Sequence, residues 1–163
     1  MRQWHLDIKT PIGILYLVAS ERGLKGIGVN KPKDFYSAQP PRGAVQIILR
    51  NAQTQLDEYF EGKRASFEIP LDAEGTEFQK KVWRRLSQIP YGQTKSYKDI
   101  AIELQAPKAC RAVGSANGKN PLMIVIPCHR VIASDGTLGG YSGGLDLKIK
   151  LLELEQNAAG TFL

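Results

Sequence analysis

Cysteine and histidine are scarce in this chain, with two of each among 163 residues. Two cysteines, Cys110 and Cys128, cannot build the disulfide framework of a small secreted domain. A four-ligand zinc site would consume every cysteine and histidine, and the adjacent Cys128-His129 pair fits no usual ligand spacing. A structural zinc site is therefore not expected. Long apolar runs are also missing. The stretch Leu122 to Pro127 stops far short of the ~20 residues needed to span a bilayer. Met1-Arg2-Gln3-Trp4-His5 has no apolar core of the signal-peptide kind, so a cytoplasmic, reducing location is expected. No internal repeat and no low-complexity tract occurs. What is present is an ordinary globular composition, 42% hydrophobic and 23% charged, which excludes wholesale disorder. A formal charge of +6 puts anionic partners first, nucleic acid among them.

The chain reads as a two-part α/β (α+β) protein divided near residue 72. In 1–72, Trp4, Leu6 and Ile8 alternate with polar residues, and Ile12, Ile14, Tyr16 and Val18 alternate after Thr10-Pro11. Leu24 to Val29 makes a third short strand. Period-two patterning with tight turns predicts an antiparallel meander. Lys31 to Gly43 holds three prolines and reads as a loop. Val45, Ile48, Leu49, Ala52, Leu56, Tyr59 and Phe60 recur at helical spacing up to Gly62. Ser66 to Leu71 reads as a further strand, and Asp72-Ala73-Glu74-Gly75 as the linker.

The part 73–163 reads as mostly helical. Thr76 with Gln79 forms a capping-box pattern ahead of Phe78, Val82, Leu86 and Ile89 on one face. Ser96 caps a short helix bearing Tyr97, Ile100, Ala101 and Leu104. Pro107 is placed to open the next helix, which ends at Asn117-Gly118. Leu122 to Ile126 reads as a buried extended segment. Leu145 to Gln156 fits both periods; its Leu, Lys and Glu content selects helix. This part carries 12 basic against 8 acidic side chains, and 1–72 carries 10 against 8.

Two short helices joined through Ala106-Pro107 suggest a helix-turn-helix. The second surrounds one long cation, Arg111, with Ala109, Ala112, Gly114, Ser115 and Ala116. A helix trimmed in this way can approach a widened minor groove and insert one side chain beside an extruded base; small residues equally suit close helix packing. Ile126-Pro127-Cys128-His129-Arg130-Val131 is the sharper signal. His129 is the only imidazole beyond the first few residues, and a thiol near pKa 8.5 needs a partner base at neutral pH. Gly139-Gly140-Tyr141-Ser142-Gly143-Gly144 allows backbone to approach a ligand. Glu153 and Glu155 both lie on the last helix as carboxylates for the imidazole. These residues alone leave the Cys128-His129 pair open between a catalytic thiol–imidazole site and a buried structural cysteine and histidine; a DNA-binding sensor and a cysteine hydrolase are the rival functions.

The pentapeptide Pro127-Cys128-His129-Arg130-Val131 resembles the active-site motif of the O6-alkylguanine-DNA alkyltransferases. The similarity runs from about Gly75 to Glu155. It takes in Phe78-Gln79, Val82-Trp83, Ile89-Pro90-Tyr91-Gly92, Ser96-Tyr97, Arg111-Ala112-Val113-Gly114, Asn120-Pro121 and Tyr141-Ser142-Gly143-Gly144-Leu145; residues 1–72 match in general layout only. The resemblance implies an N-terminal sheet-and-helix domain, 1–72, and a C-terminal domain, 73–163, that binds DNA and carries a buried Cys pocket. It implies that Cys128 accepts the alkyl group in a single-turnover reaction. His129 would act as base through a bridging water, Glu155 (with Glu153 as the neighbouring alternative) would orient it, and Tyr97 would stabilise the leaving guanine. Val131, Tyr141 and Ser142 would line the base pocket, and Asn120 would brace the turn before the active site. Arg111, Ala112, Ser115 and Lys119 would face double-stranded DNA containing O6-alkylguanine. The same likeness implies a monomer in the absence of DNA. Some relatives hold zinc in the N-terminal domain; with no cysteine and only His5 there, none is expected here.

Overall fold

Three strands, β1 (Trp4–Thr10), β2 (Gly13–Ser20) and β3 (Gly23–Gly28), form one antiparallel sheet in chain order. The structure is a computed structural model and describes residues 3–33, 43–141 and 143–159. Most of the expected loop Lys31 to Gly43 lies outside the described residues. Register pairs Leu6 with Leu17, Ile8 with Leu15, and Trp4 with Ala19. The buried face of β2 is therefore Leu15, Leu17 and Ala19, while Ile14 is 47% exposed. β2 is apolar on both faces, so alternation within it does not choose a side; pairing with the cleanly alternating β1 does. The helix α1 (Ala44–Phe60) packs on all three strands through Val45, Ile48, Leu49, Ala52, Leu56 and Tyr59. The expected strand at Ser66 to Leu71 is not one. Only Leu71 bridges to Leu24, whose N–H donates to Pro70 O and whose carbonyl accepts from Asp72 N, 2.8 Å each. A Cβ on Gly23 would sit 2.6 Å from Pro70 O, so glycine is what lets this segment close in.

The chain clusters into two compact units, Met1–Glu74 and Gly75–Leu163. The second begins with α2 (Glu77–Leu86), opened by a complete Thr76–Gln79 capping box. Its inward residues are Val82, Trp83 and Leu86; Phe78, expected inward, is 36% exposed because it stands in the first turn. A two-residue strand β4 (Lys95–Ser96) leads into α3 (Tyr97–Glu103), which Ser96 caps reciprocally with Asp99. α4 (Cys110–Gly118) follows. Pro107 does not open it. The segment makes a turn first, closed by Ala109 N–H on Ala106 O, and helix begins only at Cys110. Trp83 Nε1 donates to Ala116 O at 2.8 Å, tying α2 to α4.

Leu122 to Ile126 is buried but not extended. Val125 N–H donates to Met123 O and Ile126 N–H to Leu122 O, each at 2.9 Å, around Ile124 at φ 75°. A β-branched residue in the left-handed region is a genuine outlier; burial of Leu122, Met123, Ile124 and Ile126 offsets its local cost. A single 3-10 turn (Cys128–Arg130) comes next, then β5 (Val131–Ile132), parallel to β4, and α5 (Leu145–Ala158). Among the described residues, no helix is long and apolar enough to cross a membrane.

Candidate active site

Cys128 heads the 3-10 turn and is 2% exposed. Pro127 sets the turn up, accepting from Arg130 N–H at 3.0 Å, while Cys128 N–H donates to Ile126 O at 2.8 Å. Asn120 braces the preceding turn from both ends. Its Nδ2 donates to Ile126 O at 2.7 Å and its Oδ1 accepts from Leu122 N–H at 2.9 Å. From α4, Asn117 Nδ2 donates to Cys128 O at 3.4 Å. Burial pushes the Cys128 thiol above its ordinary value, against the neighbouring Asn120 and Tyr141 polar groups and the charge of Lys148.

His129 is fully buried, and its Nε2 lies 2.5 Å from Glu155 Oε2. Glu155, not the exposed Glu153, reaches the imidazole. Arg130 grips the same carboxylate with two nitrogens, Nε on Oε1 at 2.7 Å and Nη2 on Oε2 at 3.1 Å. Its Nη1 donates to Ile89 O at 2.7 Å, and its guanidinium stands 5.6 Å from the Tyr91 ring centroid. Burial alone would raise the Glu155 pKa; the hydrogen bonds and charges of His129 and Arg130 prevail and hold it at about 2. The carboxylate is therefore ionised at neutral pH, and Nε2 is the protonated nitrogen of a neutral ring. Burial also pushes the His129 pKa down, against the pull of Glu155. Nδ1 carries the free lone pair and has no protein partner among the described residues.

Tyr97, at the first position of α3, is half-buried. Burial and then the charge of the Cys128 thiolate raise its pKa, keeping the phenol protonated. A Cβ on Gly139, at φ +68°, would lie 3.3 Å from the Tyr97 ring, and one on Gly114 3.9 Å. The glycine loop and α4 thus hold this ring from two sides. Val131 is fully buried in β5, and the buried Tyr141 hydroxyl faces the Cys128 thiol as a hydrogen-bond partner. Ser142 lies outside the described residues. On α4, Arg111, Ala112, Ser115 and Lys119 are all exposed, while Val113, Ala116 and Asn117 face inward. The candidate residues therefore fall into two groups, a buried cluster around Cys128 and a solvent-facing stripe on α4. Sequence reasoning missed Arg130 and Lys148 as members of the buried cluster. Arg130 stood in the motif itself; Lys148 gave no signal beyond its place on α5.

A buried thiol beside an imidazole that a carboxylate fixes through one nitrogen has the residue types and arrangement that cysteine-nucleophile chemistry requires. Two family models match the chain: the DNA-binding domain of 6-O-methylguanine DNA methyltransferase over residues 77–157, and the ribonuclease-like domain of the same family over residues 7–73. The chain belongs to the 6-O-methylguanine DNA methyltransferase family. It is 49% identical over 150 residues to the methylated-DNA–protein-cysteine methyltransferase of Methanosarcina barkeri, covering 92% of this chain and 95% of that protein. It is 52% identical over 152 residues to the inducible enzyme of that name from Bacillus subtilis, covering 88% and 85%. A crystal structure of Mycobacterium tuberculosis OGT in complex with DNA superposes with TM-score 0.85 at 40% identity, over 97% of this chain and 94% of that one.

Proposed function

We propose that this chain repairs O6-alkylguanine in duplex DNA by direct reversal and that Cys128 is the alkyl acceptor. The carrying observation is the buried Cys128-His129 pair, with His129 Nε2 committed to an ionised Glu155 and Nδ1 left as the base. The thiol proton passes to Nδ1 through a bridging water. Sulfur then attacks the alkyl carbon in line, the S–C bond forms and the C–O bond breaks. The electron pair stays on guanine, where the Tyr97 hydroxyl stabilises charge that exists only as the bond breaks. The proton held on His129 then passes back through the water to the guanine anion, leaving neutral guanine and the thioether. The thioether is inert to water, so each molecule acts once, and no cofactor enters the balance.

The relatives' names and the DNA complex of the mycobacterial protein support DNA as partner. In this reading α3 and α4 are the helix-turn-helix of a DNA-binding and acceptor domain, 73–163, beside a sheet-and-helix domain, 1–72. Arg111, Ala112, Ser115 and Lys119 face the duplex, with Arg111 entering the stack in place of the flipped nucleotide. Val131, Tyr141 and Ser142 line the base pocket, and Asn120 braces the acceptor. The protein acts in the cytoplasm on DNA, as a monomer until DNA is bound.

Incubation with excess O6-methylguanine duplex, followed by intact mass and peptide mapping, tests the acceptor. One methyl per chain on the Cys128 peptide is expected; lesion binding with no adduct would favour a sensor, and repeated turnover of an acyl substrate would favour a hydrolase. Arg111→Ala should slow repair in duplex DNA roughly 100-fold, about 2.7 kcal/mol, and leave reaction with free O6-benzylguanine within a few-fold. Equal losses on both substrates would remove the role in base extrusion. Gly139→Ala should displace the Tyr97 ring and cost about tenfold in single-turnover transfer rate, or ~1.4 kcal/mol. It should also cost about 1–2 kcal/mol of stability, because alanine is strained at this positive φ. An unchanged rate would show that Tyr97 tolerates displacement.

A further inference from the structure

One buried ionisable group has no part in the reaction as written. Lys148, on α5, is fully buried. Its Nζ donates to Val131 O at 2.6 Å, Leu138 O at 2.5 Å and Gly140 O at 3.4 Å. An ammonium has three N–H donors, so its hydrogen bonds are complete. Its charge is not balanced, for among the described residues no carboxylate pairs with it. Glu155, seven residues on and therefore on the same face of α5, is committed to His129 and Arg130. A buried cation without a counter-ion is costly, and a neutral amide would supply donors for a loop tie without that cost. The groups around the acceptor are Tyr141 from the loop, Asn120 from the preceding turn, Tyr97 from α3, and His129, Arg130 and Glu155. None of them offers Lys148 an anion. The remaining candidate is the Cys128 thiolate.

We propose that Lys148 is a positioning residue of the acceptor site: its ammonium pins the segment from Val131 to Gly140 and serves as the counter-charge for the thiolate as it forms. The proposal rests on Cys128 being the acceptor. The mutual electrostatics agree with it: Lys148 draws the Cys128 thiol down, and the thiolate draws Lys148 up against burial.

Two variants separate tie from charge. Lys148→Gln keeps donors without charge, and Lys148→Arg keeps charge. Thiolate absorbance and benzyl transfer from free O6-benzylguanine are followed against pH. In Lys148→Gln the thiolate midpoint should rise by about one pH unit, which is about tenfold less thiolate and about tenfold slower transfer at neutral pH. Transfer should recover as pH rises, and Lys148→Arg should keep the parent midpoint. A Lys148→Gln protein with the parent midpoint, and transfer reduced equally at every pH, would overturn the charge role. The parent protein supplies a second measurement that does not depend on Lys148→Gln folding. With carbon-13-labelled lysine, the Lys148 ε-carbon should titrate at lower pH once Cys128 is methylated, because the counter-charge is gone. An unchanged titration would overturn the proposal. Mapping the methyl in that sample keeps the two readings apart: a methyl elsewhere than Cys128 defeats the acceptor assignment, whereas a methyl on Cys128 with an unchanged titration defeats only the role of Lys148.

Discussion

Cys128→Ala is expected to end alkyl transfer altogether while leaving the protein folded and able to bind lesion-containing duplex. Among the described residues the sulfur is the sole nucleophile placed beside the His129–Glu155 pair, and no described neighbour can replace it. Tyr97 and Tyr141 stay protonated because burial and the nearby negative charge raise both pKa values. Cys110, on α4, has its sulfur near Pro107 O and no described imidazole partner. The structural cost is small, since one buried sulfur is lost from an intact turn, on the order of 1 kcal/mol. Duplex affinity should stay within a few-fold because the exposed stripe on α4 is untouched. Intact mass after prolonged incubation with O6-methylguanine duplex decides the matter; any methyl on the variant would refute the assignment.

Glu155→Gln should be the most damaging substitution for stability, and it should slow transfer as well. It keeps the shape but leaves Arg130 a buried cation with no counter-ion among the described residues and gives His129 Nε2 a neutral partner. Breaking a buried pair by removing one member costs roughly 3–5 kcal/mol, a melting-temperature drop on the order of 10 °C for a chain of this length. The rate should fall as well, because the imidazole loses the group that fixes its tautomer; loss of the triad carboxylate in serine proteases shows how large that effect is. The same carboxylate sets an acid limit. Its folded pKa of about 2 lies below the ordinary 4.5 of a free glutamate side chain. Its stabilising contribution is therefore complete above about pH 4.5 and is lost as pH falls toward 2. Thermal melts across that window should show parent stability falling with acid, while the variant, already lacking the contribution, falls less. Parallel curves would mean that Glu155 is not the titrating group.

The parts of this molecule with local causes were legible from sequence. The three strands, α1, the Thr76–Gln79 box and the Ser96 cap each rest on residues within one or two turns of one another. The inward face of β2 was not legible, because Leu15, Leu17 and Ala19 compete with Ile14, Tyr16 and Val18 and only pairing with β1 decides. The turn at Ile124 carries no glycine or asparagine to announce its positive φ. At the site, Cys128 and His129 stood together in a short motif, and the family resemblance pointed to Glu155, with Glu153 as the neighbouring alternative. Arg130 and Lys148 were not legible as buried groups. Long cations on such segments ordinarily face water, and their partners, Ile89, Val131, Leu138 and Gly140, are assembled only when distant pieces of chain meet.

The burial of Cys128 bears on the life of the molecule before it meets damage. A reagent that is spent on first use has to reach that moment unspent. At 2% exposure, and with its pKa raised, the sulfur offers little thiolate and almost no surface to peroxide or soluble alkylating agents. That enclosure gives the resting protein a long chemical shelf life.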